Sequence, residues 1–229
     1  MALISVIIPV LNEAKQIGPC LDQFAAQPGT WELLVVDGGS TDTTVDLAEQ
    51  RGLKVIHVSG GRGPQMNAGA AVAQGEILLF LHADGRLPEG SGRLIEASLA
   101  DPGVIAGTFR LHHEADRWVG SWRTGLLRLA DLRSRYTRHP YGDQGLFLLK
   151  RVFQREGGFP PRPLMEDLAL SRKLANAGRI HILREEMRAS GRRFEGGPVR
   201  AFLCMNTFPL LDRLGVSPAR LRRWYGHPR

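Results

Sequence analysis

Short apolar runs that end in polar loops dominate the first third of this chain. Residues 77–81 (ILLFL) are apolar without alternation and stop at His82-Ala83-Asp84-Gly85. A run of this length predicts a strand that is covered on both faces, as in a parallel sheet. Asp84 then follows the C-terminal end of the strand, which is the edge where open α/β sheets bind ligands.

This pattern of strand, polar loop and helix recurs up to residue 81. The predicted strands are 3–10, 33–36, 54–58 and 77–81, and the predicted helices follow Glu13 or cover 43–51 and 64–74. A βαβαβαβ order predicts a doubly wound, mostly parallel sheet with strand order 3-2-1-4. Asn12-Glu13, Asp37 and Asp84 would then meet at one edge, where three acidic loops indicate a metal ion or a cationic or hydrogen-bonding ligand.

The pattern changes after residue 90, where longer amphipathic segments separate the strands. The predicted helices are 90–100, 115–132 and 165–177, the predicted strands are 104–112, 146–149 and 179–183, and residues 198–225 carry apolar residues at helical spacing. In the helix over 115–132, the spacing places Trp118, Trp122, Leu126 and Leu129 on the buried face. The chain contains no repeat and no sharp domain boundary, so we expect a single domain over residues 1–229.

The charge is distributed unevenly along the chain. Residues 1–100 carry 6 Lys/Arg against 11 Asp/Glu, whereas residues 101–229 carry 24 against 12. A basic C-terminal half favours an anionic partner such as phosphate groups or a membrane surface. We expect no nucleic-acid partner, because the arginines are not interleaved with exposed aromatics in a recognisable module.

Cysteine usage and hydropathy point to a cytoplasmic setting. Cys20 and Cys204 lack metal-binding or disulfide-framework spacing. Residues 1–13 lack a basic leader and a small-residue cleavage site, and no apolar stretch reaches membrane-spanning length, so we expect no signal peptide and no transmembrane helix. We therefore expect a cytoplasmic protein, and peripheral contact with the inner face of an anionic membrane stays open.

Six motifs in order resemble the family 2 glycosyltransferases, which are inverting enzymes with the GT-A fold. The matching pieces are VIIPVLNE (6–13), VVDGGSTDTT (35–44), RGPQMNAGA (62–70), LFLHADGRL (79–87), GDQGLF (142–147) and MEDLALSRKL (165–174). GDQGLF, MEDLALS and the tail LGVSP (214–218) also look like a small bacterial subfamily that is often associated with arsenosugar biosynthesis.

The resemblance implies that residues 1–110 form a Rossmann-like half that binds a nucleotide-diphosphate sugar, with a UDP-sugar favoured. The implied donor-site residues are Pro9, Asn12, Glu13, Asp37, Gly38, Arg62, Asn67, His82, Ala83 and Asp84. Asp84 matches the last residue of the family's DxD motif, whose carboxylate binds a divalent cation on the diphosphate. His82 replaces the first Asp, and imidazole suits Mn²⁺ better than the harder Mg²⁺. The implied cofactor is Mn²⁺ or Mg²⁺, with Asp84 and His82 as its ligands.

The resemblance implies that residues 111–229 form an acceptor-side half with C-terminal helices. Asp167 matches the family's catalytic base, although an acidic residue in the first turn of a helix also stabilises the helix dipole. Asp143, Gln144 and Glu166 are implied sugar or acceptor contacts, and Arg192 and Arg193 are implied diphosphate contacts. The family's Q-x-x-R-W motif is degenerate here, which favours a single, non-processive transfer.

These implications predict an enzyme that moves one sugar to an acceptor hydroxyl with inversion. Two other classes stay open. One is a sugar nucleotidyltransferase, although residues 9–13 lack the glycine-rich, basic loop that such an enzyme would want. The other is a non-catalytic protein of the same fold that binds sugar nucleotides or a membrane surface. The sugar, the acceptor and a homodimeric state are not fixed by the sequence.

Overall fold

A computed structural model describes residues 1–114, 122–191 and 198–225. Its centre is a seven-stranded sheet with the order β3-β2-β1-β4-β6-β5-β7. The strands are β1 Leu3–Val10, β2 Thr30–Asp37, β3 Val55–His57, β4 Ile77–Phe80, β5 Val104–Glu114, β6 Leu146–Leu149 and β7 Arg179–Ser190.

Helices lie between most of these strands and at the C-terminal end of the described chain. They are α1 Ala14–Ala26, α2 Thr44–Glu49, α3 Arg62–Val72, α4 Ser91–Leu99, α5 Trp122–Tyr136, α6 Lys150–Arg155, α7 Glu166–Ala177, α8 Pro198–Arg213 and α9 Pro218–Tyr225. A short 3₁₀ turn over Gly142–Gln144 precedes β6. Within the described ranges, none of the helices has the length and apolarity needed to cross a bilayer.

The strand directions confirm a mostly parallel, doubly wound sheet. β1 is parallel to β2 and β4, and β2 is parallel to β3. β6 is antiparallel to both β4 and β5, and β5 is parallel to β7. The predicted strand order 3-2-1-4 is confirmed, and the C-terminal ends of β1, β2, β4 and β5 all reach the same edge of the sheet.

The central strands are buried on both faces, which explains their unbroken apolar sequences. Alternate residues point to opposite sides: Leu79 packs in the core on one face, while Leu78 and Phe80 pack in the core on the other. Each of these three side chains is almost completely buried. The loops at the strand ends are therefore held by a rigid, two-sided core.

The observed elements differ from the predicted ones mainly in the C-terminal half of the chain. β7 extends to Ser190, past the predicted end at residue 183, because its polar second half pairs with β5 as an edge strand. Helix α6 was not predicted. The C-terminal segment divides into α8 and α9 around Gly215, whose φ of +85° lies in the left-handed region that favours glycine.

The long helix predicted over 115–132 is observed as α5, shifted towards the C-terminus. Residues 115–121, which include Trp118, lie outside the described residues, as do the side chains of Trp122 and Leu126. The placement of Leu129 on the buried face is wrong, because this side chain is 54% exposed.

Candidate active site

The loops after β1 and β2 are joined by hydrogen bonds between their polar residues. The Asn12 backbone N–H donates to Ser40 Oγ at 2.9 Å, and the Thr41 N–H donates to Asn12 Oδ1 at 2.8 Å. The Glu13 N–H donates to Thr44 Oγ1 at 2.8 Å. Asn12 and Glu13, two predicted donor-site residues, are thus fixed against the Ser/Thr-rich loop that follows Asp37.

Asp37 lies at the end of β2 and is only 2% exposed. Its carboxylate accepts hydrogen bonds from the backbone N–H groups of Gly39 (2.9 Å) and Ser40 (3.1 Å), and His57 Nδ1 lies 3.4 Å away. Burial by itself would raise the pKa of this carboxyl, but the hydrogen bonds from Ser40, Gly39 and His57 favour the charged form and lower its pKa overall. Asp37 therefore shapes the loop as an ionised acceptor.

Gln65 is a positioning residue that the sequence did not reveal. Its Nε2 donates to the carbonyl oxygens of Val10 (2.9 Å) and Val36 (2.7 Å), and the side chain is 3% exposed. Gly38 lies against it, because a β-carbon at Gly38 would come within 3.1 Å of Gln65 Nε2. Gln65 thereby ties the ends of β1 and β2 to α3. Pro9 is buried in β1 just before this junction.

Two contacts connect the start of α3 with the segment that precedes α7. Arg62 Nε lies 3.5 Å from Glu166 Oε1, and the Glu166 side chain is 6% exposed. Asn67 binds the backbone of Phe159 on both sides, with Nδ2 donating to its oxygen at 2.9 Å and Oδ1 accepting from its N–H at 3.0 Å. The observed role of Asn67 is therefore to anchor this segment.

The loop after β4 turns sharply and is held by β7. The Gly85 N–H donates to the His82 carbonyl at 2.9 Å, and a β-carbon at Gly85 would lie 2.6 Å from Leu81 Cδ1. Arg86 and Arg188 exchange two backbone hydrogen bonds, of 2.7 and 2.8 Å. The basic stretch that begins at Arg188 therefore starts beside this loop. Arg192 and Arg193 lie outside the described residues.

Asp84 stands half-buried on this loop, directly after the buried Ala83. Among the described residues its carboxylate has no hydrogen-bond or ion-pair partner. A carboxylate and the imidazole of His82 are oxygen and nitrogen donors that fit a divalent cation of the Mn²⁺ type. The described chain offers no cluster of three or more such side chains, so a cation held here would need further ligands from water or substrate.

Asp167 lies in the first turn of α7 and faces the 3₁₀ turn at Gly142. Its Oδ2 accepts a hydrogen bond of 2.7 Å from the Gly142 N–H, and its Oδ1 accepts one of 2.7 Å from the Leu168 N–H. A β-carbon at Gly142 would lie 3.1 Å from Asp167 Oδ2 and 3.5 Å from His82 Nε2. The close packing at Gly142 thus brings the predicted base and the predicted metal ligand to the same glycine.

The remaining predicted contacts of this turn have different surroundings. Gln144 is 1% exposed, and its amide binds the backbone of Phe109, Ser134 and Tyr141. This geometry suits a residue that positions the turn rather than one that touches a sugar. Asp143, the neighbouring residue, is half-exposed.

The profile described as Glycosyl transferase family 2 matches residues 5–157, which is more than half of the chain. The chain belongs to this family. A PGL/p-HBAD biosynthesis glycosyltransferase of Mycobacterium bovis is 44% identical over 95 residues, which are 38% of this chain and 37% of the relative. Dodecaprenyl-phosphate galacturonate synthase of Rhizobium johnstonii is 31% identical over 93 residues, 35% of this chain and 28% of the relative. The matched segment spans well under half of either relative.

Solved glycosyltransferase structures share the fold of this family member. Mannosyltransferase PcManGT from Pyrobaculum calidifontis, in complex with GDP-Man and Mn²⁺, has a TM-score of 0.68 at 23% identity. The matched region is 97% of this chain and 67% of the mannosyltransferase chain. S. aureus TarS 1–349 with UDP-GlcNAc has a TM-score of 0.65 at 23% identity, and the matched region is 84% of this chain and 59% of the TarS chain. At these identities the likeness establishes the GT-A type fold alone.

Proposed function

We propose that this chain is a non-processive glycosyltransferase that moves one sugar from a nucleotide-diphosphate donor to an acceptor hydroxyl with inversion. The observation that carries the proposal is the packing around Gly142. A carboxylate at a helix start and an imidazole from the β4 loop both lie against one glycine at the sheet edge where Asp84 also lies. General base and diphosphate site must be neighbours if proton removal and departure of the diphosphate occur in one displacement.

Asp167 is assigned the role of general base. An acceptor hydroxyl has a pKa far above neutrality, so its proton must leave as the glycosidic bond forms. The Gly142 N–H fixes one carboxylate oxygen of Asp167, and the Leu168 N–H fixes the other, so the carboxylate has a defined orientation. In the proposed reaction the acceptor oxygen attacks the anomeric carbon, the bond to the diphosphate breaks, and Asp167 receives the proton.

The loops after β1, β2 and β4 are assigned to the donor. Asn12, Glu13, Asp37 and Gly38 would face the nucleoside side, and Arg62, Arg192 and Arg193 the diphosphate. Asp84 and His82 would hold a divalent cation, which when bound supplies positive charge that stabilises the departing diphosphate. Support comes from structural neighbours solved with Mn²⁺ and GDP-Man, and with Mn²⁺ and UDP-glucose. We favour a UDP-sugar as the donor.

The division of labour between the two halves of the chain is part of the proposal. Residues 1–110 would bind the donor, and residues 111–229 would bind the acceptor, with Asp143 and Glu166 near the transferred sugar. A cytoplasmic location and membership of the arsenosugar-associated subfamily stay predictions.

The test compares Asp167→Asn with Glu166→Gln. The asparagine can keep the hydrogen bond from Gly142 through its carbonyl but cannot take a proton, so we expect donor affinity to survive and turnover to fall by roughly 10²–10⁴-fold. Glu166→Gln keeps the shape of the neighbouring side chain and should cost much less turnover. The measurements are turnover with a competent acceptor, the dissociation constant of the donor nucleotide, and the anomeric configuration of the product.

Two results would contradict the proposal. An Asp167→Asn enzyme with turnover near that of the wild type would remove Asp167 from the chemistry. A product that retains the donor's configuration would exclude the single displacement.

A further inference from the structure

The outward face of α8 carries an apolar stripe that no other described part of the chain covers. We define the α8 stripe as Val199, Leu203, Leu210 and Leu214, which are 50%, 53%, 58% and 72% exposed. These positions lie on one side of a helix, because they are separated by four, seven and four residues. The Leu214 N–H bonds to the Leu210 carbonyl at 3.0 Å, so the helical turn continues through the last of them.

The polar residues in the middle of the α8 stripe are satisfied by their own helix. Asn206 Nδ2 donates to the Phe202 carbonyl at 2.7 Å, and Thr207 Oγ1 donates to the Leu203 carbonyl at 2.8 Å. An internally bonded donor costs less to remove from water than an unbonded one. The whole face can therefore leave water with little loss of hydrogen bonding.

The exposed charged residues of α8 and of the neighbouring α9 have one sign. Residues 198–225 contain five arginines (Arg200, Arg213, Arg220, Arg222 and Arg223), all of them exposed, and one acid, Asp212. The Asp212 side chain is only 6% exposed and forms ion pairs with Arg162 and Arg172 on the inner side of α8. The single carboxylate of α8 and α9 is thus turned inward and neutralised, while the arginines face outward.

An exposed tryptophan lies on α9, whose end contacts the start of α8. Trp224 on α9 is 51% exposed, and its carbonyl accepts a hydrogen bond of 2.7 Å from Arg200 Nη2 on α8. Tryptophan and arginine beside an apolar helix face are typical of helices that lie in the interface of a bilayer.

We propose that the α8 stripe, with its arginines and Trp224, docks this protein reversibly on an anionic lipid surface, with α8 lying in the plane of the headgroups. Anionic lipid matches both properties of the face, since it offers apolar contact for the leucines and negative charge for the arginines. A second copy of the chain matches less well, because two such faces would bring like charges together.

The inner side of α8 places this surface next to the proposed base. Phe208 of α8 and Leu221 of α9 pack with Leu164, Met165 and Leu168, which flank Glu166 and Asp167. A docked chain would hold Asp167 about one helix diameter, roughly 10 Å, above the lipid. This consequence rests on the proposed function, whereas the docking itself does not.

The experiment is flotation with vesicles of phosphatidylcholine alone or mixed with phosphatidylglycerol, without donor or acceptor. We expect binding to the mixed vesicles that weakens with salt, because the Debye length falls from about 10 Å at 0.1 M to about 3 Å at 1 M. Leu203→Ser with Leu210→Ser should lower the affinity on the order of 10-fold or more, since two leucines no longer enter the interface. Val72→Ser, at an apolar residue of α3 that is 55% exposed, is the matched control and should bind like the wild type.

The charge is tested separately from the apolar face. Arg222→Glu with Arg223→Glu should abolish the preference for phosphatidylglycerol, while Arg93→Glu, at an exposed position of α4, should not. All four variants change exposed positions, so we expect them to fold like the wild type. An unchanged melting temperature by circular dichroism verifies this. Absence of binding to mixed vesicles at low salt, or equal binding by the leucine variant and the Val72→Ser control, overturns the proposal. A dimer in sedimentation that the leucine variant dissociates, together with no vesicle binding, assigns the stripe to a second copy instead.

Discussion

Two non-glycine residues with a left-handed backbone immediately precede predicted site residues. Asn12 has a φ of 55° and leads into Glu13, and Met165 has a φ of 63° and leads into Glu166 and Asp167. Such conformations cost roughly 1–3 kcal/mol each and persist where the surroundings fix them. Asn12 is fixed by Ser40 and Thr41, and Met165 is packed against the residues of α8 and α9. Strain at both places supports the assignment of these loops to the site.

Asp37 gives a residue-scale prediction about stability and pH. Asp37→Asn removes an ionised acceptor of backbone N–H groups, so we expect the free energy of unfolding at pH 7 to fall by about 1–3 kcal/mol. The folded-state pKa is lowered, so the stabilisation by Asp37 is complete above the unfolded pKa and is lost as the pH falls through the folded one. The difference between variant and wild type should therefore shrink on acidification below the ordinary Asp value of 3.8.

Thermal unfolding from pH 7 down to pH 3 checks this prediction. Asp46→Asn, at an exposed acid of α2, is the control and should change the melting temperature little at any pH. An Asp37→Asn protein as stable as the wild type at pH 7 would show that the loop does not depend on this carboxylate.

Cys20 gives a second residue-scale prediction. It is buried in α1 beneath the β4 loop, with Sγ 3.8 Å from the His82 carbonyl, and burial raises the pKa of its thiol to about 12. A thiol that stays protonated and inaccessible reacts slowly, whereas Cys204 is half-buried. At pH 8 a disulfide reagent should label Cys204 and leave Cys20 unmodified until the protein unfolds. Rapid labelling of Cys20 under native conditions, in the wild type or in Cys204→Ser, where Cys20 is the one remaining thiol, would contradict this.

The sequence could predict candidate site residues whose chemistry shows at a strand end but not candidates that act through backbone contacts. Asp84 could be predicted because a carboxylate follows closely after the apolar residues of β4. Gln65 and Arg86 look like ordinary polar residues of a helix and a loop, and their partners lie 55 and 102 residues away along the chain. Only the fold brings those acceptors within reach.

At the scale of elements, the 3₁₀ turn over Gly142–Gln144 supports a prediction about positioning. A β-carbon at Gly142 would lie 3.1 Å from Asp167 Oδ2 and 3.2 Å from Asp167 Cβ, so the carboxylate must shift by a few tenths of an ångström. Small displacements of a catalytic group can cost about 10²-fold in rate. We expect Gly142→Ala to lower turnover by roughly 10–100-fold while the affinity for donor nucleotide changes little.

The control for this variant is Gly125→Ala in α5. A β-carbon there meets no atom of the described residues within 4 Å, and alanine is the better helix former, so this protein should be as active as the wild type and slightly more stable. If turnover of the Gly142→Ala enzyme equals that of the control, the contact between Gly142 and Asp167 does not set the geometry of the base.

The elements themselves were predictable where periodicity and length were unambiguous. β6 and α7 have the expected positions because an apolar run and a proline-rich loop define them. The second half of β7 was missed because edge strands carry polar residues, and its pairing with β5 lies about seventy-five residues away along the chain. Local sequence contains no signal for such a partner.

At the scale of the whole molecule, the first four strands follow from the rule that βαβ crossovers are right-handed. The rest of the sheet does not follow from this rule. β6 lies antiparallel between β4 and β5, and it thereby joins the first four strands to β5 and β7 in one sheet. This insertion lets the Gly142 turn reach the loop after β4. The juxtaposition of His82 and Asp167 is therefore a property of the complete sheet.

The last prediction concerns donor binding at the sheet edge formed by the C-terminal ends of β1, β2 and β4. A ligand that binds only the folded state stabilises it by about 2.7 kcal/mol at a concentration 100 times its dissociation constant, which for a chain of this size raises the melting temperature by roughly 5–10 °C. We expect UDP with Mn²⁺ to produce a shift of this order in the wild type, and Asp84→Ala to remove the part that depends on Mn²⁺. Equal UDP affinities in isothermal titration of both proteins, with and without Mn²⁺, would exclude a metal role for Asp84. His82→Asp extends the test, because a second carboxylate should favour Mg²⁺ over Mn²⁺, and an unchanged metal preference would show that His82 is not a ligand.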